Sequence, residues 1–264
     1  MKEIPIFARD GKEKSTRPPG PKYLLAILAI GIIGFLGWWW FAGSAPDFEH
    51  YDDFGIEIPT NFQIHGIDVS KYQQRINWEA VKAMQAKEVK IGFVFIKATE
   101  GLGNMDQQFR RNWENAGEVG MPRGAYHFFL APKSGAEQAE NFIRRVELQK
   151  GDLPPVLDVE QTYGVSGPKL RVGVKAFLDR LEAHYGVKPI IYTNVDFYNR
   201  HLKDEFDEYP LWVAHYLQKD RPRIARNWAF WQYSETGRVT GIRGKVDFNV
   251  FNGDSTDFRD LLIE

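Results

Sequence analysis

Asp158 and Glu160 stand at a spacing that suits acid–base chemistry. They close the run Leu153-Pro-Pro-Val-Leu-Asp158-Val-Glu160, which is apolar until these two acids. In a β-strand successive side chains alternate between faces, so both carboxyls point the same way with Cα atoms roughly 6–7 Å apart. Two acids in one site cannot both ionise freely, because repulsion and partial burial raise one pKa and leave the other group charged. Glycosidic bond cleavage needs that division of labour: one carboxyl protonates the leaving oxygen and another faces an oxocarbenium-like centre. Standing alone, the pattern is equally that of a strand end with two solvated acids.

It does not stand alone. In chain order occur His65-Gly-Ile-Asp68-Val-Ser-Lys-Tyr-Gln73, Phe95-Ile-Lys97-Ala-Thr-Glu100-Gly, Gly124-Ala-Tyr126-His127-Phe-Phe, Leu157-Asp158-Val-Glu160, Trp231-Gln232-Tyr-Ser and Val246-Asp247-Phe-Asn249. Together these segments resemble the family 25 glycoside hydrolases, the lysozymes that cleave peptidoglycan between N-acetylmuramic acid and N-acetylglucosamine. The resemblance runs from about Phe62 to the C-terminus. It departs from the family at one loop, where glycine usually follows the Tyr-Gln pair and this chain has Gln74 and Arg75. The shape of that loop is thereby in question, though not the acids.

The elements that must position these residues alternate along 61–264, a length that suits one domain. Strands are predicted at 64–69, 91–97, 123–129, 155–159, 189–193, 211–214, 229–233 and 246–250, and helices at 78–87, 106–119, 134–149 and 167–185. Strands alternating with helices argue for parallel βαβ units, and eight strands closing on themselves form a barrel. The later crossovers are too short for full helices. The predicted architecture is therefore a TIM-like barrel with an incomplete helical ring, which the resemblance also implies.

Catalytic groups in such barrels cluster at the C-terminal ends of the strands. Asp68 ends the first strand, Asp158 and Glu160 the fourth, and Asp247 lies on the eighth, beside the first once the barrel closes. Each of Asp68 and Asp247 alone would pass for a structural acceptor; convergence of four carboxyls makes them catalytic candidates. Glu160 is expected to be the general acid. Asp158 is expected to stay ionised, stabilising the transition state or orienting the substrate's 2-acetamido group, with Asp68 and Asp247 positioning that group or a water. Retention and inversion both remain open.

Sugar rings have apolar faces, so Tyr126, Tyr192, Trp212 and Trp231 are candidate stacking surfaces, with His127 and Gln232 as hydrogen-bonding partners. Core packing is the competing role for each. Because neighbours alternate, Trp231 and Gln232 cannot both face the lumen of an ideal strand. Lys97 and Glu100 are expected to form an ion pair near the mouth.

Upstream, Tyr23 to Ala42 is an uncharged apolar run of membrane-spanning length ending near Trp38, Trp39 and Trp40. Lys2, Arg9, Lys12, Lys14, Arg17 and Lys22 precede it, whereas Asp47, Glu49, Asp52, Asp53 and Glu57 follow. The positive-inside rule then predicts a basic cytoplasmic tail at 1–22, a transmembrane helix at 23–42, an acidic linker at 43–60 and a catalytic domain outside the cytoplasm. A signal peptide cut after Ala45 is the alternative, and it would release the same domain on the same side.

Other chemistries find little footing. The net charge of −1 gives no basic field for nucleic acid. Without cysteine, and with six histidines lacking ligand spacing, neither a metal nor a cofactor is expected. The expected partner is the peptidoglycan glycan strand. A non-catalytic peptidoglycan-binding protein would not need Asp158 and Glu160 together, and a chitinase-like glycosidase would differ in substrate.

Overall fold

A computed structural model describes residues 48–218 and 220–264, together with positions 31, 32, 34 and 35. The predicted 1–22 tail, and the 23–42 span apart from those four positions, lie outside the described residues. Among the described residues no helix is long and apolar enough to cross a membrane.

Eight strands form the barrel: β1 (His65–Val69), β2 (Val89–Glu100), β3 (Arg123–Phe128), β4 (Val156–Asp158), β5 (Ile190–Asn194), β6 (Leu211–Ala214), β7 (Phe230–Gly237) and β8 (Val246–Phe251). Each pairs with the next, and β8 and β2 both pair with β1 to close the ring. Strands β1 to β7 run parallel, but β8 is antiparallel to both neighbours. The expectation of parallel units throughout fails here for a simple reason. Only residues 238–245 join β7 to β8, and a parallel crossover needs a dozen or more.

The helices α1 (Trp78–Ala83), α2 (Phe109–Glu118), α3 (Gly135–Ile143) and α4 (Gly167–Tyr185) pack on the early strands, and α5 (Ser255–Leu261) follows β8. In α4, Leu170, Val174, Phe177, Leu178 and Leu181 make one buried stripe, with proline in the first turn and left-handed Gly186 as the stop. Helix α3 ends earlier than predicted, because Asp152 draws the following chain into a turn: its carboxylate accepts from the Gln149 N–H at 2.8 Å and from Arg123 Nε at 2.8 Å. Helix α1 is also shorter than predicted, since Gln85–Ala86 pairs with the start of β2. Between β5 and β6 stands only a short helical turn (Val195–Phe197, then Tyr198–Leu202), and among the described residues of 215–229 there is no helix.

A second correction concerns the predicted acidic linker at 43–60. From Phe48 onward it is an antiparallel hairpin, Phe48–Tyr51 with Ile56–Pro59. Tyr51, Phe54, Ile56 and Ile58 are buried. Phe48 meets Trp231 and Tyr233 with ring centroids 6.1 and 6.3 Å apart, and Phe54 meets Phe248 at 5.3 Å. The hairpin therefore covers outward-facing residues of β7 and β8, where no helix lies in the sequence between those strands. Its acids occupy the solvent side and mask this apolar set.

Inside the barrel Phe93, Phe95, Trp212, Phe230 and Phe251 form an aromatic floor, sealed by Phe258 of α5. Phe95 stacks on Trp212 at 4.2 Å and 21°. Gly66 and Gly124 make room for this floor, since a Cβ there would stand 2.5 Å from the Phe93 ring and 2.6 Å from that of Phe95.

Candidate active site

Above that floor the barrel opens into a cleft of about 250 Å³ whose lining includes Asp68, Asp158, Glu160 and Asp247. Asp68 is the penultimate residue of β1, Asp158 closes β4, and Glu160 lies two residues beyond and lines the same cleft. Asp247 reaches this mouth because β8 is inverted: its N-terminal end lies beside the C-terminal ends of the other strands, and Asp247 is the register partner of Asp68. Lys97 stands in the same lining, with its Nζ 2.7 Å from Glu100 Oε2 and 4.6 Å from the centre of the Phe128 ring.

The electrostatics follow from depth. Burial pushes Asp158 well above the usual carboxylate range, and the charge of Glu160 adds to the rise. Glu160 is raised too, chiefly by burial, but Asp158 beside it works in the opposite direction through a side-chain hydrogen bond. Both carboxyls of this pair are therefore raised above their ordinary range, with Asp158 the more deeply buried of the two. Across the mouth, burial raises Asp68 to about 6, opposed by hydrogen bonds from Asn249 and Gln232. Burial and the neighbouring Asp68 raise Asp247 to about 8. The four carboxyls thus form two neighbouring pairs, Asp158 with Glu160 and Asp68 with Asp247, each group raised above its ordinary value.

Of the expected sugar-facing residues, Tyr126, Tyr192, Trp212 and Gln232 line the cleft. His127 and Trp231 do not. Alternation along β3 turns Tyr126 inward and His127 outward, where it is fully buried between Thr99 Oγ1 (2.7 Å) and Gln138 Oε1 (3.2 Å), against the Phe177 ring. Along β7, Gln232 faces in, and Trp231 faces out beneath the hairpin with its indole N–H donated to the His215 carbonyl at 2.9 Å. Trp212 is almost wholly buried, so it supports the cleft floor beneath Tyr126 and Tyr192.

Residues missed by sequence reasoning fill the rim. Tyr72 is 77% exposed in the cleft lining. Tyr163, on the loop after Glu160, is 46% exposed with φ +49° and feels the charges of Glu100, Asp158 and Glu160. Tyr72 lies inside a motif already noted; nothing in the pattern marks Tyr163. The loop that departs from the family keeps a glycine-like backbone, with Gln74 at φ 54° and ψ −128°. That conformation costs a non-glycine residue about 1–3 kcal/mol, and Gln73 holds it through a capping box with Ser70 and a bond to the Lys245 carbonyl at 3.0 Å. Among the described residues no group of three or more His, Cys, Asp or Glu is arranged to hold a metal ion.

Residues 67–242 match the profile of glycosyl hydrolases family 25. The chain belongs to that family. Family 25 likeness extends over most of the chain: lysozyme M1 of Streptomyces globisporus is 38% identical over 205 residues, covering 72% of this chain and 68% of that protein. The uncharacterized protein YegX of Escherichia coli strain K12 is 47% identical over 200 residues, covering 76% of this chain and 74% of that one. The structure of a family 25 glycosyl hydrolase from Bacillus anthracis superposes with a TM-score of 0.71 at 34% identity, covering 82% of this chain and 98% of that one. Asp247 lies beyond the matched profile, and strand register and the cleft lining place it in the site.

The raised pKa of Asp247 carries a stability consequence. Between about pH 4 and about pH 8 the folded chain keeps a proton that the unfolded chain has released, so this group destabilises the fold as pH rises through that window. Asp247→Asn removes the titration and keeps a donor beside Asp68. Thermal melts should show the variant more stable than wild type near pH 8, with the difference vanishing near pH 4; a difference independent of pH would refute the raised pKa.

Proposed function

We propose that the protein is a muramidase that hydrolyses the β-1,4 bond between N-acetylmuramic acid and N-acetylglucosamine in peptidoglycan. The observation that carries this reading is the placement of buried Asp158 beside the more open Glu160 in one cleft, two raised carboxyls between which a proton can pass. Glu160 is the member that can meet a glycosidic oxygen, so the proton passes out through it as the C1–O bond breaks and the electron pair leaves with that oxygen. The pair is then doubly anionic, opposite the positive charge developing at C1, and a water completes the hydrolysis by bonding its oxygen to C1 and returning a proton to the pair. Asp68 and Asp247 present a second pair across the mouth, able to accept from an acetamido N–H or to orient a water. Tyr126 and Tyr192 line the cleft where the sugar would lie, and family membership with lysozyme M1 as a relative supports the substrate class. Neither the non-catalytic nor the chitinase-like alternative has a specific observation in its favour.

We further propose that residues 23–42 anchor the enzyme, with the N-terminus cytoplasmic and the barrel on the other side of the membrane. The uncharged twenty-residue run and the charge asymmetry around it support this. Cell fractionation should leave the full-length chain in the membrane pellet through a high-salt wash; a soluble product trimmed near residue 45 would show a cleaved signal instead.

For the activity, purified peptidoglycan is incubated with the full-length protein in detergent and, in parallel, with Glu160→Gln. The expected products are muropeptides with new reducing muramic acid ends, reduced at least about 100-fold by the substitution. New reducing N-acetylglucosamine ends, or unchanged glycan, would overturn the assignment.

A further inference from the structure

Two buried amides behind Asp68 are not explained by sugar binding. Gln232 and Asn249 both donate to the same oxygen, Asp68 Oδ2, from Nε2 at 2.7 Å and from Nδ2 at 2.9 Å. Each amide has its orientation fixed from behind. Asn249 Oδ1 accepts from Trp212 Nε1 at 2.8 Å, and an indole N–H can only donate. Gln232 Oε1 receives two hydroxyls, from Tyr192 at 2.8 Å and Tyr216 at 2.6 Å. Reversing either amide would set a carbonyl against the carboxylate. Gln232, Asn249 and Trp212 are each at most 1% exposed, so water does not compete with these bonds.

We infer that Gln232 and Asn249 are positioning residues, which hold Asp68 as the anionic member of the Asp68–Asp247 pair and leave Asp247 to carry the shared proton. An oxygen that accepts two amide N–H groups binds them more strongly as carboxylate than as acid. The relay is continuous: tyrosine hydroxyls and an indole orient two amides, the amides orient one carboxylate, and that carboxylate accepts from Asp247. Strand pairing builds it, since Asn249 is the register partner of both Gln232 and Gly66, and Asp247 of Asp68. The directions already described agree, with Asp247 raised further than Asp68.

Other charges also face Asp68 and belong in any titration. Asp158 and Glu160 bear on it from the β4 side, and Lys97 of β2 acts on that same pair. Glu235 of β7 bears on Asp247. The hydroxyls of Tyr126, Tyr192 and Tyr216 lie within reach of the charge of Asp68. None of these donates to Asp68 Oδ2, so removing an amide leaves them in place.

The inference rests on the muramidase reading for its kinetic readout and stands free of it for a second one. Asn249→Leu and Gln232→Leu are compared with wild type in the pH dependence of kcat/KM on peptidoglycan and in carbon-13 titration of the aspartate carboxyls, assigned with Asp68→Asn and Asp247→Asn. Loss of one donor should move the Asp68 midpoint, and the acid limb of the rate profile, upward by about one pH unit. The kcat should fall while KM changes less than about twofold. Tyr216→Phe, which removes one orienting hydroxyl, should shift the same readouts in the same direction by less, and it decides the matter if the leucine variants do not fold. An unchanged Asp68 midpoint in a folded variant, or an effect confined to KM, would overturn the inference. A wild type inactive on peptidoglycan but titrating as described would instead sink the muramidase reading and leave the relay standing.

Discussion

The antiparallel pairing of β8 with β1 is the constraint on which the site depends. It sets Asp247 opposite Asp68 and Asn249 opposite Gly66. Had β8 run parallel, its N-terminal end, and Asp247 with it, would lie at the opposite mouth. The short 238–245 connection enforces the inversion, so a loop-length limit on chain topology decides which carboxyls share protons.

Burial supplies the rest of the chemistry. A floor of stacked aromatic rings places the four carboxyls above a low-dielectric base, where charge is costly and neighbouring acids must share protons. The same inversion has a structural cost, because a β7–β8 connection without a crossover leaves their outer face without a helix from that connection. The 48–59 hairpin covers it with Phe48 and Phe54, so a segment outside the matched family profile completes the core on which Gln232 and Asn249 are mounted.

Much of this was legible in the sequence, for identifiable reasons. Strand positions, α4 and the gathering of Asp68, Asp158, Glu160 and Asp247 at one mouth follow from periodicity and from the habit of barrels to gather function at one end. The inversion of β8 was readable in principle from loop length. His127 and Trp231 fall outside the cleft by strand parity: once Tyr126 and Gln232 face the lumen, their neighbours cannot. The hairpin is masked by Glu49 and Glu57, which interrupt two strands of only four residues each, and by Asp52 and Asp53 in the turn between them. How strongly burial raises Asp158 and Glu160 depends on depth within the barrel, which no local pattern encodes. The strained backbone at Gln74 was equally invisible, since a glutamine gives no sign of a left-handed position.

The central claim is that a glycan is cut where the two proton-sharing pairs face each other. The most direct test is the crystal structure of Glu160→Gln with a glycan fragment containing N-acetylmuramic acid. The glycosidic oxygen should lie within hydrogen-bond distance of the residue 160 side chain, with an acetamido group between Asp158 and the Asp68–Asp247 pair. A fragment bound instead in the larger hollow of about 970 Å³ beside Trp113, Arg144 and Lys150 would contradict the account.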